Sequence, residues 1–152
     1  MFDFLFNLWH RAKIIPPTPI PQISRPAIEY HQPLNNFIDD LLFYHNTVRR
    51  NKLILSNALN EYAQFRADVM AKNRSLNHTT ETELKRLMGR NNFYSIAENI
   101  ASGQRTPGDA IGSWLNSPEH RQSLLNGNYK YVGFGCAEDS NGRRYWCAIY
   151  AG

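Results

Sequence analysis

Five prolines within thirteen residues divide the chain into two parts. They interrupt residues 14–26, at Pro16, Pro17, Pro19, Pro21 and Pro26. Proline fixes φ and has no amide proton, so this stretch favours extended polyproline-like backbone and excludes a continuous helix. A length of 152 residues suits one compact domain with a modest extension. The sequence therefore predicts an N-terminal arm over residues 1–33 and one folded domain over residues 34–152.

The arm begins with the pattern of a short amphipathic helix. Four apolar residues of segment 1–13 fall on one helical face: Phe2, Leu5, Phe6 and Trp9. We expect residues 1–26 to dock on a protein assembly. There are two alternatives for residues 1–13: they contact a membrane surface, or they fold back on the domain. The segment lacks the basic start and the small-residue cleavage site of a signal peptide.

Charge and hydropathy argue against two classes of function. Lys and Arg number 17 against 13 Asp and Glu, and the positive residues form no long run. A net charge of +4 in this distribution does not indicate nucleic-acid binding. No stretch approaches the roughly 20 apolar residues that span a bilayer. We therefore expect neither a nucleic-acid partner nor a transmembrane segment.

Helical periodicity and capping residues predict five helices after the arm. The first two have apolar stripes at helical spacing, over about 34–50 and from Ser56 to about Asn73. The other three are indicated mainly by their first turns. Their signals are Thr80 with Glu83 in a helix stopped by Gly89, Thr106 with Pro107 and Asp109 in a helix through Trp114, and Ser117 with Pro118 in a helix ending before Gly127.

The last part of the chain has the pattern of a β-hairpin. Strands are predicted over 130–138 and 143–150, joined by Asn141 and Gly142 as a two-residue turn. Counting outward from that turn places Cys136 opposite Cys147, within reach of a disulfide. A Cys136–Cys147 disulfide implies an oxidising compartment, and two buried free thiols in a reducing one are the alternative.

Several segments occur in the order found in the CAP superfamily. They are HNTVRR (45–50), ALNEYAQFRADVMA (58–71), LNH (76–78), AENIASGQ (97–104), AIGSWLNSPEHRQSLLN (110–126), YKYVGFGCA (129–137) and YWCAIYA (145–151). The chain thus resembles this SCP-like superfamily, which includes cysteine-rich secretory, antigen 5 and pathogenesis-related proteins, and its bacterial branch most. The resemblance spans about residues 35–152.

The resemblance implies an α+β fold, an α-β-α sandwich with a small antiparallel sheet, and a surface cleft lined by two His and two Glu. In this sequence the matching cleft residues are His78, Glu98 and His120. Ser117 occupies the position of the second Glu, so the set is incomplete. Two imidazoles and one carboxylate with an open position suit Zn or another divalent cation.

For three other residues, a structural role explains the sequence better than a functional one. His45 lies on the apolar stripe of the first helix, which favours a hydrogen-bonded core histidine over a ligand. Ser117 is more easily explained as an N-cap than as a nucleophile, and Glu119 as a helix-dipole partner.

The superfamily has no single shared reaction, so three functions are carried forward. The first is an interaction module, extracellular or part of a virion, anchored by its arm and displaying the cleft. The second is a metal-assisted hydrolase in which Glu98 activates a water held by His78 and His120. The third is lipid or sterol binding between helices.

Overall fold

The computed structural model describes residues 37–152. Within this range the chain forms five helices and four strands. In chain order they are α1 (Phe37–Val48), β1 (Ile54–Leu55), α2 (Asn57–Asn73), α3 (Glu81–Arg90), β2 (Ile96–Ser102), α4 (Pro107–Asn116), α5 (Pro118–Leu125), β3 (Tyr131–Glu138) and β4 (Arg144–Ala151). The predictions for the arm, including its helix and its docking role, lie outside the described residues.

The strands form one sheet in the order β1-β3-β4-β2. β2 and β3 both run antiparallel to the central β4. β1 pairs with β3 in parallel over two residues, which adds one short parallel pair to the small antiparallel sheet that the resemblance implied. Because β2 pairs only with β4 in this order, it lies at an edge of the sheet.

Local capping signals place the helix starts where the sequence predicts them. Capping boxes form at Thr80 with Glu83 and at Thr106 with Asp109, which satisfies backbone groups that a helix start leaves unpaired. Ser117 stands at the start of α5 as predicted, but its side chain makes no capping hydrogen bond. The prediction that Gly89 stops α3 is wrong, since the helix continues to Arg90.

One face of the sheet packs against α2, and at two glycines of β3 the backbones of the strand and the helix come into direct contact. A Cβ atom at Gly133 would lie 2.0 Å from the carbonyl carbon of Leu59, and one at Gly135 would lie 2.2 Å from the carbonyl oxygen of Ala63. Only glycine permits backbone contact of this kind. The opposite face carries α1, where the ring of Phe37 lies 5.6 Å from that of Trp146. The helices therefore cover both faces, as in the predicted sandwich.

The hairpin has a different register from the predicted one. Glu138 pairs with Arg144, and the N–H of Asp139 donates to the carbonyl of Arg143 at 2.9 Å, so the loop has three residues, 140–142. Gly142 has φ of +77°, as expected for a type I turn closed by a left-handed residue. Oδ1 of Asp139 accepts from the N–H groups of Asn141 and Arg143, which stabilises this longer loop.

The register contradicts the predicted disulfide. Cys147 lies opposite Gly135, and Cys136 lies opposite Trp146. A shift of one residue turns a side chain to the other face of the sheet, so the two sulfur atoms lie on opposite faces. Both cysteines are buried and free.

Among residues 37–152, no helix combines the length and the apolar character needed to cross a membrane.

Candidate functional site

The predicted cleft residues gather around the edge strand β2. Successive side chains of a strand point to opposite faces, so Glu98 and Asn99 extend to the two sides of the sheet. Glu98 lies on the side of α2, where the thiol of Cys147 is 3.9 Å from its Oε2. Asn99 lies on the side of α5 and contacts its first turn. The edge strand thus reaches both layers of helices.

Glu98 is a buried carboxylate with several donors. Its side chain is 2% exposed. Oε1 accepts from the backbone N–H of Thr79 at 2.9 Å, and Oε2 accepts from the Thr79 hydroxyl at 2.5 Å. Oε1 also accepts from Nδ1 of His78 at 2.8 Å. The carboxylate is therefore held in one orientation by the segment that joins α2 to α3.

The contact with Glu98 fixes the proton arrangement of His78. A carboxylate oxygen with these donors can only accept, so Nδ1 of His78 carries the proton that it donates. In the neutral imidazole, Nε2 then holds the lone pair. The His78 side chain is 58% exposed, so the ring reaches solvent although its partner carboxylate is buried.

His120 approaches His78 from the other side of β2. The centroids of the two imidazole rings are 6.3 Å apart. The backbone oxygen of His120 accepts from Nδ2 of Asn99 at 2.9 Å, which holds the first turn of α5 against the strand. Partial burial and the nearby His78 lower the pKa of His120, and Glu119 opposes them weakly. The lowered pKa favours the neutral form of the His120 imidazole.

Ser117 lies at the junction of α4 and α5, three residues before His120. Its N–H donates to the carbonyl of Trp114 at 3.3 Å, and its own carbonyl accepts from Arg121 at 2.8 Å. These backbone bonds join the two helices. Its side chain adds no cap, so its identity as serine is not explained by the start of α5.

Three further residues belong to the site and were not predicted. Thr79 supplies two donors to Glu98, and Asn99 fixes the first turn of α5. Arg66 of α2 places Nε 3.8 Å from Oε2 of Glu98. Thr79 and Asn99 are immediate neighbours of the predicted His78 and Glu98, whereas no sequence pattern connects Arg66 with the cleft.

The predicted three-ligand metal group is not assembled. Residues 37–152 contain no group of three or more His, Cys, Asp or Glu side chains arranged to hold a metal ion. His78 and Glu98 are hydrogen-bonded to each other, and both oxygens of Glu98 are engaged. The arrangement is a pair of imidazoles with a carboxylate behind one of them.

A protein-family model and a curated bacterial protein are similar to this chain. A family model, CAP, described as "Cysteine-rich secretory protein family", matches residues 42–150. The relative is "Uncharacterized protein YkwD" of Bacillus subtilis (strain 168), 39% identical over 49 residues. The match covers 32% of this chain and 19% of the relative, so the chain corresponds to a small part of that protein.

Solved structures share the fold at low sequence identity. An outer surface protein from Borrelia burgdorferi superposes with a TM-score of 0.70 at 21% identity, covering 79% of this chain and 95% of that one. An extracellular SCP-domain protein from Bacillus anthracis str. Ames gives 0.67 at 22% identity, covering 84% and 45%. NaASP2, a structure with Zn2+, gives 0.54 at 11% identity, covering 76% and 82%. These likenesses establish the α+β fold.

Proposed function

This chain belongs to the CAP family of cysteine-rich secretory proteins, and from that membership we propose that it acts outside the cell as a binding domain whose His78 and His120 hold a divalent metal ion. Neutral imidazole nitrogen is a common ligand of Zn2+ and similar ions. NaASP2, which shares the fold, has a structure with Zn2+.

The observation that carries the proposal is the hydrogen bond between His78 and Glu98. A carboxylate that accepts from one ring nitrogen of a histidine orients the ring and makes the other nitrogen a better ligand. Nδ1 of His78 makes this bond at 2.8 Å, which leaves Nε2 for the metal. The lowered pKa of His120 supports a second neutral imidazole beside it.

The residues present fit a metal ion through two ligands rather than three. Glu98 is 2% exposed and is bonded to Thr79 and His78, so it suits the role of hydrogen-bond partner to a ligand. His78 and His120 would hold the ion, and the remaining positions would be taken by water or by a group of the bound partner. The ion would supply Lewis acidity and a fixed positive charge.

Zinc titration calorimetry on the full chain tests this function. We expect binding by the wild-type protein, with affinity falling in acid because only a neutral imidazole can bind the ion. His78→Ala and His120→Ala should each lower the affinity at least tenfold. Glu61→Gln, at an exposed carboxylate of α2, serves as the matched control and should bind like the wild type. Equal affinity in all of these proteins would overturn the proposal.

The geometry gives less support to hydrolysis. A general base must reach a water or substrate proton. Both oxygens of Glu98 are engaged by Thr79 and His78, and the side chain is buried. We therefore assign Glu98 to the orientation of His78 and propose no reaction for the cleft.

We assign attachment to a protein assembly to residues 1–26, which precede the described residues. The support is the apolar pattern of Phe2, Phe6 and Trp9 followed by the proline-rich stretch. A protein that starts at Tyr30 should retain a cooperative thermal transition and lose attachment. Loss of the transition would instead make the arm part of the folded core.

A further inference from the structure

We propose that Arg66 is a positioning residue for the cleft, because it holds both partners of the hydrogen bond between His78 and Glu98 in place. Arg66 lies on α2, His78 in the segment after that helix, and Glu98 on β2. The inference rests on the proposed function, since it concerns the orientation of one of the two proposed ligands.

The guanidinium of Arg66 contacts the site at two points. Its Nη2 donates to the backbone oxygen of Asn77 at 2.7 Å, which fixes the residue directly before His78. Its Nε lies 3.8 Å from Oε2 of Glu98. One rigid, planar group therefore connects the segment that carries the imidazole with the carboxylate that orients it.

The contact between Arg66 and Glu98 is buried, which indicates a specific role for the guanidinium. The Arg66 side chain is 11% exposed and that of Glu98 is 2% exposed. Nε of Arg66 is buried and has no hydrogen-bond acceptor among the described residues. A buried donor without an acceptor is unfavourable and rare in native proteins, and a specific electrostatic role explains its retention. Its position next to a buried anion provides that role.

The other contacts of Glu98 show why the positive charge of Arg66 is needed. Apart from Arg66, the basic partner of Glu98 within the described chain is His78, which is charged only when it is protonated. A guanidinium is always charged and can balance the carboxylate at every working pH. With the charge supplied from α2, the orientation of His78 depends on its hydrogen bond to Oε1 rather than on an ion pair. The imidazole can then present Nε2 to the cleft.

The test compares Arg66→Met, Arg66→Lys and Arg90→Met in the full chain. Arg90 is an exposed arginine at the end of α3 and serves as the matched control for loss of a positive charge. The first readout is the tautomer of His78, measured from its ring 15N shifts at pH 8 without metal. The second is zinc affinity by calorimetry.

We expect the wild type and Arg90→Met to show one His78 tautomer, with the proton on Nδ1. Arg66→Met should give a mixture of tautomers and about tenfold weaker zinc binding, the range seen when partners of metal ligands are removed. Arg66→Lys should keep more of the single His78 tautomer and more of the zinc affinity than Arg66→Met does, because lysine keeps the charge but not the planar fork. An unchanged His78 tautomer in Arg66→Met would overturn the inference.

The two readouts separate this inference from the function it rests on. If the wild-type protein does not bind zinc, the proposed metal site fails, while the tautomer measurement still decides the role of Arg66. If Arg66→Met does not fold, Arg66→Gln, which keeps polar hydrogens but removes the charge, carries the decision. In that case, wild-type values for both its tautomer and its zinc affinity would overturn the inference.

Discussion

Glu98 and Asn99 are consecutive residues of β2, and each fixes one of the two cleft histidines. Glu98 accepts from the ring of His78 at 2.8 Å on one side of the sheet, and Asn99 donates to the backbone of His120 at 2.9 Å on the other. Because β2 lies at the edge of the sheet, the two imidazoles can approach each other past this edge. Their ring centroids are 6.3 Å apart. The alternation of a single strand thus connects two helical layers at one site.

Replacing Gly135 by alanine should strongly destabilise the fold. The added Cβ would lie 2.2 Å from the carbonyl oxygen of Ala63, and backbone on both sides leaves little room to relax. We expect a loss of about 3 kcal/mol in the free energy of unfolding, the upper end of the usual cost of overpacking, measured by urea titration.

Gly112 provides the matched control for this substitution. It lies within α4, and a Cβ there would meet nothing within 4 Å. Gly112→Ala should stabilise the protein by roughly 0.5–1 kcal/mol, because alanine loses less backbone entropy in a helix. Similar effects of the two substitutions would contradict the close packing of α2 on β3.

The side-chain caps of α4 and α5 should differ in strength. Thr106 accepts from the N–H of Asp109 and forms a capping box, whereas Ser117 makes no side-chain capping bond. Thr106→Ala should lower the free energy of unfolding by about 1 kcal/mol, and Ser117→Ala by clearly less. Urea unfolding of both variants decides the comparison, and equal losses would show that Ser117 caps α5 in solution.

These caps show which features the sequence could predict. A capping box involves residues three positions apart, so Thr80 with Glu83 and Thr106 with Asp109 were recognisable without knowledge of the fold. β2 gave no such signal. Its central residues are buried on both faces and include the polar Glu98 and Asn99, so the alternation that marks a half-buried strand is absent.

The hairpin and the cleft were predicted only in part. Asn141 and Gly142 marked the turn correctly, but the side chain of Asp139 stabilises a loop one residue longer, and that residue reversed the faces of the cysteines. The closeness of His78 and His120 followed from the family resemblance alone. No local sequence pattern predicts that these two residues are close, because they lie far apart in the sequence. The helical layers that carry them come together only at the edge position of β2.

Both cysteines should be free thiols in the isolated protein. The two sulfur atoms lie on opposite faces of the sheet, and burial raises the pKa of Cys136 to about 12 and that of Cys147 well above its usual range. Alkylation should therefore be slow in the native protein. It should reach two modified thiols after denaturation without reductant, as measured by intact mass. A mass about 2 Da lower with no modification would restore the predicted disulfide.

His45 should make stability fall as the pH is lowered. Burial holds the pKa of His45 at about 3, against an ordinary value of 6.5, and the neutral ring accepts from the hydroxyl of Tyr150 at 2.7 Å. Between these two values the unfolded chain binds a proton that the folded chain does not. The free energy of unfolding therefore decreases by up to about 1.4 kcal/mol for each pH unit below 6.5.

His45→Gln isolates this contribution, because glutamine cannot take up the proton. The variant should be less stable at pH 7.5, where it loses the packing and hydrogen bonds of His45 with Leu41 and Tyr150. From pH 7.5 to 4.5, however, the wild type should lose roughly 2.5 kcal/mol more than the variant does. Carboxylates and the other histidines titrate in both proteins, so the difference between the two urea-unfolding series assigns the change to His45. Parallel pH profiles would show that His45 is protonated in the folded state or exposed to solvent.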